Sequence, residues 1–493
     1  MKIKSIFFVL AIMVLFVGLS MILPLIFAFA YKETAQIFVF LSSMGITLGV
    51  GMALYNWTKG NASINGITNK EGMLIGAVGW LVIPLFGSLP YIFSGTLPNL
   101  FDAYFESISG FTTTGATVMT DIEAAAKSIL LWRSFTQWLG AMGILLLFVA
   151  LMSKMGIGGT RLLKAETPGP TVSKIVPRVS QYAKYIWIVY ISLTVIEVII
   201  LTIVGLDFFD ALNHTFTSIA TGGFSTRNAG VGAFENYVVD FIIILFMIIG
   251  GGNFALYYLA LSKKDPGLLF KDEEYRSYLI VLFLGFVIAA INLYLSFFNN
   301  TFEAVRYGLF QIVSLLTGAG HVNYDYDRWG STVKMTLFVL MFFGGCQYST
   351  TGGIKMVRML IAAKFIGGEL AKNLHPRIVY QIRINKLPVN EQVTNNVIGF
   401  FLLYFIFFFL TALLLAGYGF DKVSSLTASA AILGNVGPAM GIFGPTQTYF
   451  DMPNMMKLWL SLVMIMGRLE IYPMLALMQV LVFKRNRSAL IKS

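Results

Sequence analysis

The residues with the greatest chemical reach in this chain are hydroxyls and glycines gathered in four short stretches. Ser109–Thr117 reads Ser-Gly-Phe-Thr-Thr-Thr-Gly-Ala-Thr, and looser versions follow at Ser218–Phe224, Ser314–Gly320 and Ile432–Pro438. In each, a glycine (Gly115, Gly222, Gly318, Gly437) follows Thr114, Thr221, Thr317 or Val436, which has nearly the shape of threonine. Glycine reaches backbone conformations closed to other residues, so such turns can expose carbonyl oxygens to a common axis. Carbonyls so arranged replace the hydration shell of a cation without a fixed charge that would hold it too tightly. Hydroxyls of Thr113, Thr114, Thr221 and Thr317 would add oxygens at the inner end, and Asn435 with Val436 completes the set in the fourth loop. No Asp or Glu lies in the four loop centres, which argues against a calcium-type acidic ring.

A second polar stretch stands where a membrane helix should run. Gly344-Gly345-Cys346-Gln347-Tyr348-Ser349-Thr350-Thr351-Gly352-Gly353 follows an apolar segment, Thr332–Phe343, that is too short to span a bilayer. Unpaired backbone cannot face lipid, so this segment is expected to line or plug a water-filled path. Arg468 lies deep in the last apolar span, where an arginine costs at least about 2.5 kcal/mol and needs a partner. Carbonyls of the Gly344–Gly353 segment, or Glu470, would serve. Glu197, in another span, reads as a packing or inter-subunit contact.

These features need a scaffold, and the composition says which. Of 493 residues, 57% are hydrophobic and 12% charged, more apolar surface than one water-soluble core can hide. Apolar runs of about 20 residues recur, the length that crosses hydrocarbon as a helix. The net charge of +11 comes from Lys and Arg concentrated in the segments assigned to the inside, so the basic excess reflects membrane topology rather than nucleic-acid binding. The single cysteine and three dispersed histidines supply neither a disulfide nor a metal set, and no nucleophile–base constellation supports an enzyme.

The expected fold is an all-α polytopic membrane protein with two extra N-terminal spans (about Ile6–Ala30 and Ala35–Trp57) and four pseudo-symmetric helix–pore-loop–helix repeats around a central pore. The divisions are 1–71, 72–182, 183–274, 275–393 and 394–493: the N-terminal unit, repeat 1 with a basic connector, repeat 2, repeat 3 with the intramembrane segment, and repeat 4 with a basic tail. Each repeat contains a short half-helix opened by an acid, at Asp102, Asp210, Glu303 and Asp421, which suits the positive end of a helix. Four such helices pointing their carbonyl ends at the membrane centre favour a cation there. Glycines recur in the inner helices, at Gly140, Gly250, Gly344 and Gly467, and read as bends around a central space.

Taken in order, Ser109–Thr117, Thr221–Thr226, Ser349–Lys355 and Gly467–Glu470 resemble the motifs of the TrkH/KtrB/HKT superfamily of potassium-translocating membrane proteins, from about Gly72 to the end. The extra N-terminal pair is similar to the TrkH branch. The resemblance implies a K⁺ selectivity filter at Gly115, Gly222, Gly318 and Gly437 with their flanking residues. It also implies a gate at Gly344–Gly353 held partly by Arg468, and a homodimer in the plasma membrane of a prokaryote with a cytoplasmic N-terminus. It further implies a separate cytosolic nucleotide-binding ring of the TrkA type. The chain carries no nucleotide-binding fingerprint, so it needs no cofactor of its own and any nucleotide would sit on that partner. Two departures stand out: Gly434 leaves two registers open in the fourth loop, and Tyr348 is bulkier than the family's small polar residues. The function so implied is potassium uptake by channel-like permeation, with a secondary transporter coupling K⁺ to H⁺ or Na⁺ as the alternative.

Overall fold

The computed structural model describes residues 3–60, 68–141, 179–469 and 471–479; the basic connector up to residue 178, Glu470 and the tail from 480 lie outside the described residues. At the N-terminus, α1 (Ile3–Ser20) and α2 (Ile22–Ala30) together form one apolar span. The sequence predicts a continuous helix here, but Pro24 has no amide to give the Ser20 carbonyl, and the helix breaks at that level. The second span, α3 (Thr34–Thr58), packs closely along α1: a Cβ on Gly18 or Gly51 would come within 2.8 Å of Leu48 or Leu15. Small residues let membrane helices approach in this way.

Four repeats follow, each with an outer helix, a half-helix, a pore loop and an inner helix. In repeat 1 these are α4 (Asn69–Gly87), extended by α5 (Leu89–Phe93), then α6 (Leu100–Phe111) and α7 (Lys127–Ala141). Repeat 2 has α8 (Val179–Ile203), α9 (Phe208–Ser218) and α10 (Tyr237–Gly251), which turns through 94° into α11 (Phe254–Lys263). A short α12 (Gly267–Lys271) leads to repeat 3: α13 (Glu273–Ser296), α14 (Thr301–Leu316), α15 (Ser331–Leu340), a non-helical segment, and α16 (Met356–Leu374). An antiparallel hairpin of β1 (Arg383–Ile384) and β2 (Leu387–Pro388) then precedes α17 (Glu391–Gly417), α18 (Lys422–Leu433) and α19 (Asn454–Leu469) of repeat 4. Among the described residues, six helices are long and apolar enough to cross a membrane, or up to eight if each bent pair is one span.

The burial pattern is that of a protein dissolved in lipid. Outer helices expose Ile203, Leu295, Leu402 and Leu413, while Thr112, Thr113, Thr114, Gln137, His214 and Gln311 are buried at the centre. Each half-helix starts on an Asn or Asp that accepts an amide of its first turn: Asn99 from Phe101, Asp207 from Phe209, Asn300 from Phe302 and Asp421 from Val423. Asp102, Asp210 and Glu303 stand in the first turn as expected. Asp421 is itself the cap.

The inner helices cross the half-helices at their small residues. A Cβ on Gly140, Gly250 or Gly467 would lie 1.8, 2.8 or 2.2 Å from the carbonyl oxygen of Phe111, Ile219 or Leu433, at the carbonyl end of the same repeat's half-helix. The glycines therefore permit close packing, and in repeat 2 the chain also bends there.

Candidate ion site where four loops meet

All four half-helices end in the same way. The residue after the last turn is left-handed and its amide bonds the carbonyl three residues back, while the next amide bonds five residues back, a Schellman ending. The left-handed residues are Thr113, Thr221, Gly318 and Asn435, at φ 55°, 51°, 66° and 53°. Their amides reach Gly110, Ser218, Leu315 and Ile432, and those of Thr114, Gly222, Ala319 and Val436 reach Ser109, Thr217, Ser314 and Ala431. Left-handed backbone recurs two residues further on, at Gly115, Gly223, Gly320 and Gly437.

This pattern corrects the register read from the sequence. Gly115 and Gly437 do correspond, but their counterparts in repeats 2 and 3 are Gly223 and Gly320. Gly222 matches Thr114, Ala319 and Val436, and Gly318 matches Thr113, Thr221 and Asn435. Composition misled because Thr-Gly pairs recur at a different depth in each loop, whereas the hydrogen-bonded helix end fixes depth.

The four equivalent glycines close a ring. A Cβ on Gly115 would stand 2.2 Å from the carbonyl oxygen of Gly222, one on Gly223 2.1 Å from that of Ala319, one on Gly320 2.0 Å from that of Val436, and one on Gly437 2.3 Å from that of Thr114. Each repeat thus leans its glycine on the carbonyl of the next, and the fourth returns to the first. Only a residue without a Cβ allows backbone this close, and positive φ selects glycine independently. On one side the ring opens to a cavity of ≈ 130 Å³, whose lining includes Gly115, Gly223, Gly320 and Pro438 from the four repeats.

Side chains behind the loops hold them in place. Glu106 accepts from the Thr117 hydroxyl (2.9 Å) and the Val118 amide (2.9 Å), and pairs with Arg133 at 2.6 Å. His214 bonds the Ser225 hydroxyl at 2.9 Å, and Gln311 donates to Asn323 at 3.0 Å. Gln137 donates to the Gly222 carbonyl (2.6 Å) and accepts the Phe224 amide (3.1 Å), filling the space a side chain at 222 would need. Asp102 pairs with Lys457 at 2.5 Å across repeats 1 and 4. Apart from Asp102, placed at a half-helix start, none of these was read from the sequence, although an intramembrane Arg133 and Lys457 carry the same signal that singled out Arg468. In the outer loops, hydrogen bonding to Asn228 holds the Asp121 carboxyl below the usual carboxylate range, while burial pushes that of Asp327 up as it accepts the Gly441 amide of the next repeat.

The threonine hydroxyls expected at the inner end are engaged by protein. Thr113 Oγ1 accepts from Arg468 (3.2 Å), Thr114 Oγ1 accepts from Asn435 Nδ2 (2.8 Å), Thr221 Oγ1 donates to Ala220 (2.7 Å), and Thr317 Oγ1 donates to Val313 (2.7 Å).

Opposite the cavity, the Gly344–Gly353 segment runs against the inner residues of the second, third and fourth loops. Thr350 Oγ1 lies 3.2 Å from Thr221 Oγ1 and donates to Ile219 and Gly250 carbonyls (both 3.0 Å). A Cβ on Gly352 would be 2.5 Å from the Asn435 Cβ, and one on Gly318 3.9 Å from the Gly352 amide nitrogen. Gly345 abuts Gly251, whose carbonyl accepts the Cys346 amide at 2.8 Å. Within the segment, Gly344 lies against the Gly352 carbonyl, the Ser349 hydroxyl is 2.9 Å from that of Thr351, and Gly353 is left-handed. Tyr348 adopts φ 63°, and its carbonyl accepts the Phe254 amide at 3.5 Å. Arg468 completes the connection to repeat 1, donating to Thr350 (2.6 Å), Gly140 (3.0 Å) and Ala141 (2.5 Å) carbonyls as well as to Thr113. The segment supplies one of the partners expected for Arg468, and the Gly140 and Ala141 carbonyls of α7 with the Thr113 hydroxyl supply the others. Glu470 is outside the described residues.

Four half-helices aiming carbonyl ends at a ring of backbone oxygens, in a helical membrane scaffold, define a protein built to pass cations. A family model described as TrkH, cation transport protein, matches residues 46–486, and the chain belongs to that family. It is 34% identical over 479 residues to the Trk system potassium uptake protein TrkH of Halomonas elongata, covering 97% of this chain and 98% of that one. Identity to the protein of the same name from Escherichia coli K12 is 35% over 471 residues, covering 94% and 96%. The crystal structure of the potassium transporter TrkH from Vibrio parahaemolyticus is similar with a TM-score of 0.87 at 32% identity, covering 97% of this chain and 98% of that one.

Proposed function

We propose that this chain is a potassium-uptake subunit in which K⁺ passes inward through the ring of loop carbonyls. The observation that carries the reading is the closed succession of Gly115, Gly223, Gly320 and Gly437, each set on the next repeat's carbonyl. A backbone so tightly interlocked keeps its oxygens at fixed spacing, which lets it substitute for the water around a dehydrated ion. The names of the relatives support K⁺ as the ion transported. Each 100 mV across the membrane supplies about 2.3 kcal/mol per charge, so an open path suffices for uptake. The Gly344–Gly353 segment with Arg468 acts as a barrier on the inner side: it crosses the line of permeation, and the guanidinium repels cations.

The chain works as a homodimer in the prokaryotic plasma membrane, with its N-terminus cytoplasmic, and a cytosolic TrkA-like ring carries the nucleotide that controls the barrier. Lipid surrounds the outer helices. Coupled transport with H⁺ would need a relay of carboxylates. Glu197 hydrogen-bonds Ser218 on the half-helix α9 and does not line the cavity beside the ring, so the arrangement favours a pore.

The test is Rb⁺ uptake into liposomes holding the purified chain with the Gly344–Gly353 segment shortened, competed with K⁺, Na⁺ and Li⁺. Saturating inhibition by K⁺, weak inhibition by Na⁺ and none by Li⁺ are expected. Equal inhibition by all three would contradict the filter.

A further inference from the structure

A buried carboxylate at the start of repeat 3 ties the crossing segment to the helix that follows it. Glu274, 6% exposed, sits in the first turn of α13. Its Oε1 accepts the Gln347 amide at 2.6 Å and the Val357 amide at 3.1 Å. Gln347 lies early in the segment, and Val357 is the second residue of α16, which begins just beyond it. The first amides of a helix lack partners within it, and Lys355, at the cap position of α16, makes no side-chain capping bond. Lys355 instead turns back to the Thr351 carbonyl at 2.5 Å. Glu274 thus caps a helix other than its own and, with the same oxygen, holds the segment. Its neighbours bind the surroundings of the same corner: Glu273 pairs with Lys364 of α16 at 2.5 Å, and Asp272 accepts from Asn385 of the hairpin at 2.7 Å.

We propose that Glu274 is a positioning residue that locks the Gly344–Gly353 segment and the start of α16 into one unit across the axis. The consequence for permeation rests on the barrier reading above. One carboxyl oxygen accepting two amides ties them together, and without it both amides are buried and unpaired. Movement of α16 or of the hairpin then carries the segment with it.

The chain supplies its own probe, since its one cysteine, Cys346, is fully buried beside Gln347. Cys346 labelling by a small aqueous thiol reagent would be followed in liposomes together with Rb⁺ uptake, for the full chain, E274L and E274Q. E274L removes the acceptor, while E274Q keeps an oxygen but loses the charge. Labelling about tenfold faster in E274L and a smaller rise in E274Q are expected, with uptake increasing in the same order. If E274L does not yield monodisperse protein, E274Q carries the test. Labelling at the unsubstituted rate in the folded variants would overturn the proposal, as would a lowered melting temperature without faster labelling. Faster labelling with unchanged uptake would support the role of Glu274 and overturn the reading of the segment as a barrier.

Discussion

The two faces of the loop ring follow different rules. Toward the cavity, four repeats with little sequence in common converge on one geometry: a Schellman ending, then a glycine resting on the next repeat's carbonyl. On the opposite face, among the described residues, the symmetry is broken by the third repeat, whose inner helix gives way to a glycine-rich segment that touches its neighbours. Coordination of a spherical ion is served by equivalent oxygens. Control, in the function proposed above, is served by one element set against the ring from one side.

The comparison can be broken most sharply at the ring. Gly320→Ala puts a methyl 2.0 Å from a backbone oxygen, which no rotamer can relieve, and Rb⁺ uptake should fall below about a tenth of its original value even in protein that folds, since the backbone must shift at a site that sets ion spacing. Gly222→Ala, whose nearest contacts lie on the movable Gln137 side chain rather than on backbone, should retain more uptake than Gly223→Ala. The reverse order would refute the structural register.

The next effect is on stability. Lys457→Met leaves Asp102 buried without its ion partner, at a cost of about 3–5 kcal/mol, visible as a lower melting temperature in detergent. Adding Asp102→Asn should recover much of the loss. On the asymmetric face, Arg468→Gln removes bonds to Thr350, Gly140 and Ala141 and should raise uptake several-fold while leaving the K⁺/Na⁺ preference unchanged. A changed preference would mean that the two faces are not separable.

The smallest effect belongs to the strained threonines. A β-branched residue at positive φ stores about 1–3 kcal/mol, so Thr221→Gly relieves strain while losing the contact with Thr350. The melting temperature should move by no more than about 4 °C in either direction.

The fourfold plan is legible in the sequence because apolar spans, acids at half-helix starts and repeated hydroxyl–glycine runs are local signals. The register of the ring was not legible: Gly222 and Gly318 look like Gly115 in composition, and only the hydrogen-bonded ends of α9 and α14 show that Gly223 and Gly320 are its counterparts. The partners of Arg468 were readable in kind, as carbonyls, although those of Gly140 and Ala141 come from a helix far away in the chain. Glu106, Gln137 and Glu274 were missed because their significance lies in which amides and carbonyls face them, a property of tertiary packing.

The most direct test of the central claim combines the two faces in one chain. Rb⁺ uptake should be high when the Gly344–Gly353 segment is shortened and should vanish when Gly437→Ala is added, because its methyl would stand 2.3 Å from the Thr114 carbonyl oxygen. Uptake that persists in the combined variant would mean that ions pass elsewhere and that the ring is not their path.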